Sequence, residues 1–229
     1  LRLDGVARFV PDAHVAGGIV VCARGADGSL LFTVVDPKAA GVSVEVEATV
    51  DQTRRLASVA LDDVRVGDAG LLAAPGELDD LHARLTSLGA WAVCADAAGT
   101  AERSLEMAVA YAKQRRQFGR PIGSFQAVKH HLANMLVAVE GSRAAVAHAS
   151  AAFDNGGPGV HEAASVAKSF VGPACAQVCE TAIQVHGGIG FTWEHDAHLY
   201  LKRAKLDEAL FGSTSWHRRR LGRGLVAVQ

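Results

Sequence analysis

Residues 1 to about 70 show the short apolar runs that are typical of β-strands. The segments are GIVVCAR, SLLFTVV, VSVEVEATV and LASVALDDVRV, rich in β-branched residues and separated by turn signals such as Ala26-Asp27-Gly28. VSVEVEATV alternates apolar and polar positions, which predicts one buried and one solvated face. The opening stretch LRLDGVARFVP contains an Asp-Gly pair and is predicted to form half of a hairpin. Because this stretch begins without a cap or lead-in, we expect the whole protein to have a further N-terminal part.

The pattern then changes to that of helices. Apolar positions recur with helical spacing over about 78–116, from Ser124 as N-cap to about 155, over about 159–185, over about 194–209, and after Ser213. The breakers GRPIG, NGGPG and HGGIG separate these segments. Successive helices with short loops predict an up-and-down bundle, and strands before helices predict an α+β fold. We therefore expect a partial antiparallel β-domain at 1–72 and a helical bundle domain at 73–229.

Composition and charge narrow the possible functions. The 229 residues carry a formal net charge of −1 and are 49% hydrophobic, so a sizeable core is expected and nucleic acid is not an expected partner. The apolar runs are too short, and too often interrupted by charge, to cross a membrane. Cys22, Cys94, Cys175 and Cys179 match neither zinc nor redox spacing. We expect buried reduced thiols, no metal site and a cytoplasmic protein.

Two loops carry candidate binding chemistry. RRQFGRPIG, residues 115–123, and QVHGGIGFTWEHD, residues 184–196, are alternate connections, so an antiparallel bundle brings them to the same end. The glycines of the second loop allow a close backbone approach to a ligand. Arg115 in the first loop offers a guanidinium suited to phosphate. Each loop taken singly also suits a plain helix connection, in which the glycines turn the chain and Arg115 is solvated.

Taken together, the loops and their flanks are more specific. RRQFGRPIGSFQAVKHHLANM and QVHGGIGFTWEHDAHLYLKRAK closely resemble the acyl-CoA dehydrogenase family, and DQTRRLASVALDDVRV resembles the exit from that family's β-domain. The resemblance covers nearly the whole chain. It implies the second half of the family's middle β-domain followed by its C-terminal helical domain. It also implies FAD as cofactor, an acyl-CoA thioester as substrate and an electron-transfer acceptor.

The resemblance assigns roles to particular residues. In this family the R-x-Q-F-G and Q-x-x-G-G-x-G loops reach the flavin of the neighbouring subunit. The implied FAD contacts are Arg115 at the pyrophosphate, Gln117 and Phe118 along the nucleotide with Phe125 and Gln126 close by, Gln184, Gly187 and Gly188 at the adenosine half, and Thr214 at the flavin of its own chain.

The chain departs from the family at the catalytic base. Most members carry a glutamate in a Tyr-Glu-Gly-Thr sequence, and that glutamate removes the α-proton of the acyl group. The corresponding residues here are FGST, at 211–214, so Gly212 takes the place of the base. Members with the base on the first long helix would carry it at Gly89. The backbone N–H of Gly212 can still polarise a thioester carbonyl, while Asp207 and Glu208 are expected to be solvated.

Three interpretations follow. In the first, the chain is a base-less, flavin-binding subunit of a complex in which a related chain carries the glutamate. Actinobacterial members that act on steroid or ring-containing CoA esters are built in this way, as α2β2 heterotetramers. In the second, it is an active homomeric dehydrogenase, a dimer or tetramer, with its base elsewhere. In the third, it is a flavin-free scaffold or binding protein, against which the retained loop residues argue.

Overall fold

The structure, a computed structural model, describes residues 1–67, 71–72, 78–157 and 159–226. It has the predicted α+β composition, with strands followed by helices. By its internal packing the chain divides into two compact units, Leu1–Ala83 and Arg84–Gln229. The predicted boundary between residues 72 and 73 adjoins positions outside the described ranges, and it stays a prediction.

The described residues of the first unit form five strands. They are β1 (Arg2–Pro11), β2 (Ile19–Arg24), β3 (Leu30–Val35), β4 (Val42–Val46) and β5 (Leu56–Arg65). The order β1-β5-β4 forms one antiparallel sheet, and β2 and β3 pair as a hairpin. The hairpin turns where predicted, since Gly28 has a φ of +85° and the Asp27 carboxylate accepts a hydrogen bond from the Ser29 N–H at 3.0 Å.

The first strand corrects one prediction. β1 does not form a hairpin with the strand that follows it, because it pairs with the distant β5. The Asp4-Gly5 pair lies inside β1, where the register shifts between Leu3 and Gly5, and the Asp4 carboxylate accepts a hydrogen bond from the Asp63 N–H at 3.0 Å. The pair therefore marks a β-bulge rather than a turn.

The second unit is the helical bundle. Its helices are α1 (Leu78–Gln114, which begins in the first unit), α2 (Gln126–Asn155), α3 (Val160–His186), α4 (Ala197–Ala209) and α5 (Thr214–Val226). The core of this unit is built mainly from small side chains, including Ala101, Ala108 and Ala167, with Val139 and Val171 between them. Small residues allow the helix backbones to approach one another, and α3, buried on most sides, is the central helix.

Two details differ from expectation. Ser124 does not cap α2, because it ends a 3-10 turn at Ile122–Ser124, and Phe125 takes the N-cap position without a side-chain hydrogen bond. Among the cysteines, Cys22 is exposed rather than buried. The other three are buried, and burial raises the thiol pKa to about 12 at Cys94 and Cys175 and to about 11 at Cys179. Of the helices in the described ranges, none has the length and apolar character that spanning a bilayer requires.

Candidate functional site

The two motif loops lie at the same end of the bundle, as predicted. Tyr111, in the last turn of α1, places its ring 4.6 Å from that of His186, the last residue of α3. The loop that follows α1 and the loop that follows α3 therefore start side by side. We call this region the nucleotide end, defined by residues 115–126 and 184–196.

The first loop of the nucleotide end is a tight two-stranded ribbon. β6 (Arg116–Gln117) pairs with β7 (Arg120–Pro121), and Gln117 faces Arg120 across the turn. The two turn residues, Phe118 and Gly119, have φ values of +54° and +80°, the backbone of a type I′ hairpin turn. Phe118 adopts this left-handed conformation at a cost that glycine or asparagine would avoid, and its side chain is 91% exposed. The fold holds an aromatic ring in solvent under strain, which is typical of a binding position.

Charge and aromatic surface meet in the same loop. The Arg120 guanidinium lies 4.1 Å from the centre of the Phe125 ring, and the Phe118 ring meets Phe125 edge to face at 6.1 Å. Arg115 is exposed, and among the described residues no acidic side chain forms an ion pair with it. A phosphate would supply the missing partner for the Arg115 guanidinium.

The second loop presents open backbone. Gly187 has a φ of +67° and begins a 3-10 turn that continues to Phe191. A Cβ added to Gly187 or Gly188 would meet nothing within 4 Å, whereas one added to Gly190 would lie 3.1 Å from the Ile183 carbonyl oxygen. Gly190 is therefore required for packing. Gly187 and Gly188, with the exposed Gln184, leave a surface that another molecule can approach closely.

The buried imidazole of His186, the last residue of α3, packs beneath the surface of the second loop. His186 donates from Nδ1 to the Ala182 carbonyl oxygen at 2.7 Å, and its ring lies 4.2 Å from that of His195. Its Nε2 is buried, and within the described part of the chain it has no hydrogen-bond partner. Burial lowers the His186 pKa, since protonation would place an unpaired N–H in the interior.

Thr214 lies far from the nucleotide end. Its hydroxyl oxygen would be 3.3 Å from a Cβ added to Gly172, and Gly172 precedes the end of α3 by fourteen residues, about 20 Å along the helix axis. The structure therefore brings together eight of the nine residues predicted to contact FAD and separates Thr214 from them. This separation suits the expectation that Thr214 and the two loops serve different flavins. We call the loop 210–213, with its neighbours Gly89 and Thr214, the acyl end.

Both positions expected to carry a base are glycines in restricted surroundings. A Cβ added to Gly89 would lie 2.2 Å from the Phe211 ring, so this ring fills the space that a side chain at position 89 would need. Gly212 has a φ of +99°, and a Cβ there would lie 2.9 Å from the Trp216 ring and 3.0 Å from His217 Nε2. Any other residue at position 212 would be strained in this conformation and would also be crowded. Gly212 turns the chain with its positive φ, and Ser213 caps α5 by accepting a hydrogen bond from the Trp216 N–H at 3.3 Å.

Two buried basic side chains support the acyl end. Lys168, 1% exposed, donates to the carbonyl oxygens of Asp207 at 2.6 Å and Glu208 at 2.9 Å, and so satisfies the C-terminus of α4. His217, which is fully buried, bonds the Phe211 carbonyl oxygen from Nε2 at 3.0 Å and Ser165 Oγ from Nδ1 at 3.1 Å. Burial lowers the pKa of both side chains.

The acyl end also corrects the prediction for Asp207, which is 1% exposed rather than solvated. Glu208 is half-buried, and its carboxylate accepts a hydrogen bond from the Thr214 hydroxyl at 3.4 Å. Sequence reasoning missed Lys168 and His217 as supports of the loop. A lysine within the apolar face of α3 was a signal for Lys168, while His217 follows the motif with no distinguishing pattern.

No group of acidic, histidine and cysteine side chains in the described ranges has the arrangement of a metal site.

The nucleotide end fits FAD on these observations. An exposed arginine without an acidic partner suits the pyrophosphate, a strained exposed aromatic ring suits the nucleotide, and side-chain-free backbone permits close approach. These features carry complementary chemistry for a dinucleotide.

Comparison with known proteins identifies the family of this chain. Residues 83–226 match the family model described as the acyl-CoA dehydrogenase C-terminal domain. Acyl-CoA dehydrogenase FadE34 of Mycobacterium tuberculosis is 44% identical over 96% of this chain, which covers 31% of that relative. The ChsE4-ChsE5 complex of Mycobacterium tuberculosis superposes with a TM-score of 0.89 at 30% identity, over 98% of this chain and 60% of that chain.

A third protein, the Tcur3481-Tcur3483 steroid ACAD in its G363A variant, superposes with a TM-score of 0.85 at 30% identity, over 99% of this chain and 60% of that chain. The chain thus spans from about a third to under two thirds of the length of these proteins. With its motif loops at one end of a matching helical bundle, the chain belongs to the acyl-CoA dehydrogenase family.

Proposed function

We propose that this chain is part of an FAD-dependent acyl-CoA dehydrogenase subunit that lacks its own catalytic base and acts within a heteromeric complex. A related chain supplies the glutamate that removes the α-proton. The reaction is the α,β-dehydrogenation of an acyl-CoA thioester, and the substrate class is a bulky, steroid-like acyl group. An electron-transfer protein reoxidises the cofactor, and the complex is cytoplasmic.

The observation that carries the proposal is the closure of both base positions. A general base must reach the proton it abstracts. At position 89 a side chain is blocked by Phe211, and at position 212 it is blocked by the left-handed backbone and the rings of Trp216 and His217. Both base positions are therefore glycines, and neighbouring side chains fill the space that a base would need. Replacing a glutamate by glycine would not by itself require this packing.

The chain's own residues contribute binding. FAD, when bound, would accept the hydride that leaves the β-carbon of the acyl group. Arg115 would hold the pyrophosphate, with Gln117, Phe118, Phe125 and Gln126 along the nucleotide. Gln184, Gly187 and Gly188 would contact the adenosine half, and Thr214 would donate a hydrogen bond to the flavin of its own subunit.

The separation of Thr214 from the nucleotide end supports an oligomer in which each chain serves its own flavin and a neighbour's. The choice of a heteromeric complex rests on a structural neighbour that is a complex of two named chains, ChsE4 and ChsE5, and another neighbour is named a steroid ACAD. The flavin-free interpretation does not account for the retained binding loops, and a homomeric dehydrogenase requires a base outside the two closed positions.

The test compares the full-length protein alone with the same protein co-purified with a related chain that carries Tyr-Glu-Gly-Thr. We expect a yellow complex with a flavin absorption spectrum, and dehydrogenation of a steroid-like acyl-CoA with an artificial electron acceptor in the complex only. A missing base typically lowers the rate by about two to four orders of magnitude. Full activity of the protein alone, or a complex without flavin, would contradict the proposal.

Arg115→Ala separates flavin binding from catalysis. Removing a hydrogen-bonded partner from a charged phosphate costs about 1.5–3 kcal/mol, so flavin retention should weaken roughly tenfold to a hundredfold. The matched control is Arg143→Ala, an exposed arginine in the middle of α2 that pairs with Glu140 at 3.2 Å. Equal flavin loss in both variants would show that Arg115 has no special role.

A second candidate, an active dehydrogenase with its base elsewhere, is favoured by one contact. Glu208 places its carboxylate 3.4 Å from the Thr214 hydroxyl, beside the expected flavin position. If Glu208 is the base, Glu208→Gln removes the activity of the protein alone by about two to four orders of magnitude. Glu180→Gln, which affects only a surface pair with Lys205 at 2.9 Å, is the control. Our proposal predicts that neither substitution changes the activity of the complex by that amount.

A further inference from the structure

One peptide of the acyl end is held from inside the bundle. The His217 ring is fully buried and places Nε2 3.0 Å from the Phe211 carbonyl oxygen. A carbonyl only accepts hydrogen bonds, so Nε2 carries the proton and His217 is the donor. The second ring nitrogen, Nδ1, lies 3.1 Å from Ser165 Oγ, which fixes the ring plane from α3.

The hydrogen bond to Phe211 also determines where the next N–H points. The Phe211–Gly212 peptide is trans, as are all peptides that the structure describes, and in a planar trans peptide the N–H points opposite to the carbonyl. Since the carbonyl points at a buried ring, the Gly212 N–H points away from that interior. Gly212 is half-buried, and within the described residues its N–H has no hydrogen-bond acceptor.

Gly212 and His217 form a matched pair. A Cβ at position 212 would lie 3.0 Å from His217 Nε2 and 2.9 Å from the Trp216 ring, so only glycine admits the imidazole this closely. The positive φ of +99° at Gly212 sets the direction of the peptide and again requires glycine. The glycine that removes the base thus also allows His217 to reach the backbone.

We infer that His217 is a positioning residue that holds the Phe211–Gly212 peptide with the Gly212 N–H turned outward, as a donor to the carbonyl oxygen of a bound acyl thioester. A hydrogen bond to the Phe211 carbonyl polarises the peptide and makes its N–H a stronger donor. The ligand assignment rests on the proposed function, whereas the orientation of the peptide does not.

His217 remains neutral in this role. Burial is the main cause of its lowered pKa, and the positive charges of Lys168 and Arg220 lower it further, although the Phe211 carbonyl acts in the opposite direction. The Nε2–H donor is present in the neutral ring, so the hydrogen bond needs no proton uptake.

The chain offers a direct spectroscopic test. It contains two Phe-Gly peptides, Phe118–Gly119 and Phe211–Gly212. In the full-length protein, within its purified complex, labelling with 1-¹³C-phenylalanine and ¹⁵N-glycine selects the amide signals of such peptides. Phe118→Asn removes the Phe118–Gly119 signal and so identifies it, and Phe211→Leu identifies the Phe211–Gly212 signal in the same way. The Phe118–Gly119 signal, from the exposed turn, then serves as the internal control.

We expect His217→Leu to shift the Phe211 carbonyl and Gly212 amide signals, His217→Gln to restore them in part, and the Gly119 signal to remain unchanged. A folded His217→Leu protein with an unchanged Gly212 signal would overturn the inference. If His217→Leu does not fold, Ser165→Ala loosens the ring and should shift the same signal less. An unchanged signal in that variant would likewise overturn it.

Ligand addition tests the second half of the inference. Octanoyl-CoA should shift the Gly212 amide signal, while the S-octyl thioether of CoA, which has no carbonyl, should not. The loss of one neutral hydrogen bond in His217→Leu should weaken octanoyl-CoA binding roughly threefold to tenfold. The thioester assignment would be overturned if both probes shifted the Gly212 signal equally, or if neither probe shifted it. A colourless complex would instead contradict the proposed function, and the Gly212 signal can be read in either case.

Discussion

The nucleotide end and the acyl end of this helical bundle differ in how their polar groups are satisfied. At the nucleotide end, Arg115 has no acidic partner among the described residues, Phe118 is strained and 91% exposed, and Gly188 faces open space. At the acyl end, Phe211 covers Gly89, His217 donates a hydrogen bond to the Phe211 carbonyl from the interior, and Lys168 does the same for the last turn of α4.

The difference separates binding from chemistry. A surface that keeps strained and unpartnered groups loses stability unless another molecule completes it. A loop that is held by a buried side chain, and whose Gly212 N–H has no acceptor among the described residues, is stable by itself. The glycine at position 212 offers no side chain with which to react. Selection for cofactor binding and loss of the base would leave this combination. We expect substitutions at the two ends to have different effects. The largest loss of stability is expected at the acyl end, where the packing is tightest.

Gly89→Ala should break the acyl end. The new Cβ would lie 2.2 Å from the Phe211 ring, so the ring must move, and the free energy of unfolding should fall by about 1–3 kcal/mol. The control is Gly99→Ala on the same helix, where a Cβ meets nothing within 4 Å. That change should raise stability by up to about 1 kcal/mol. Urea unfolding of the two variants measures the difference.

A double substitution checks the mechanism of this effect. If the ring of Phe211 is the obstacle, Gly89→Ala should cost little in a Phe211→Ala background, so the two substitutions should not be additive. Additive losses, or a Gly89→Ala protein as stable as Gly99→Ala, would contradict the packing described for the acyl end.

The contact between Gly89 and Phe211 also shows where sequence reasoning stops. Periodicity located the strands β2 to β5 and the helices α1 to α5, because it reports the face that each element buries. The motif loops identified the nucleotide end, because their glycines and arginine have chemical meaning within the loop itself. The glycines at both base positions were visible as well, but the ring that fills the space beside Gly89 was not.

The missed features depend on contacts between residues far apart in sequence. β1 joins β5 across the intervening hairpin, so its Asp-Gly pair was misinterpreted as a turn signal. Asp207 was expected in solvent because it lies on a helical turn just before the loop, yet it is buried, and Lys168 of α3 donates to its carbonyl oxygen. His217 acquires its partner only when α3 and α5 meet. Local sequence patterns do not predict such long-range contacts.

The stability of the protein at acidic pH should depend on the two buried histidines, one at each end. Burial lowers the pKa of His186 at the nucleotide end and of His217 at the acyl end from the usual 6.5. The unfolded chain therefore takes up these protons first as the pH falls. The stability that depends on the neutral rings is fully present above pH 6.5 and is lost as the pH falls through that value towards the lower folded-state pKa.

Each suppressed proton contributes at most about 1.4 kcal/mol per pH unit. We expect the melting temperature to fall between pH 7.5 and 5.5, and His186→Gln and His217→Gln each to reduce that slope. His148→Gln, at an exposed position of α2, should leave the slope as it is. The same slope in all four proteins would show that neither buried ring contributes.

The smallest effect is expected at the turn of the nucleotide end, and there stability and binding should change in opposite directions. Phe118 has a φ of +54°, a conformation that costs most residues about 1–2 kcal/mol but that asparagine tolerates. Asn-Gly is also the preferred pair for a type I′ turn. Phe118→Asn loses the edge-to-face contact with Phe125, which is weak for a ring this exposed, so we expect a net gain of about 0.5–1 kcal/mol.

The same substitution should weaken flavin retention, because the ring proposed to line the nucleotide is gone. Gly119→Ala is the control: its φ of +80° disfavours a side chain, so stability should fall by about 1 kcal/mol although the Phe118 ring remains. Thermal unfolding without flavin gives the first quantity, and flavin released on dilution gives the second. If Phe118→Asn keeps its flavin as the unsubstituted protein does, the strain at this turn has no binding purpose. The contrast between the two ends would then rest on Arg115 and the glycine loop, because Phe118 supports it only if the strained ring is held in place for the cofactor.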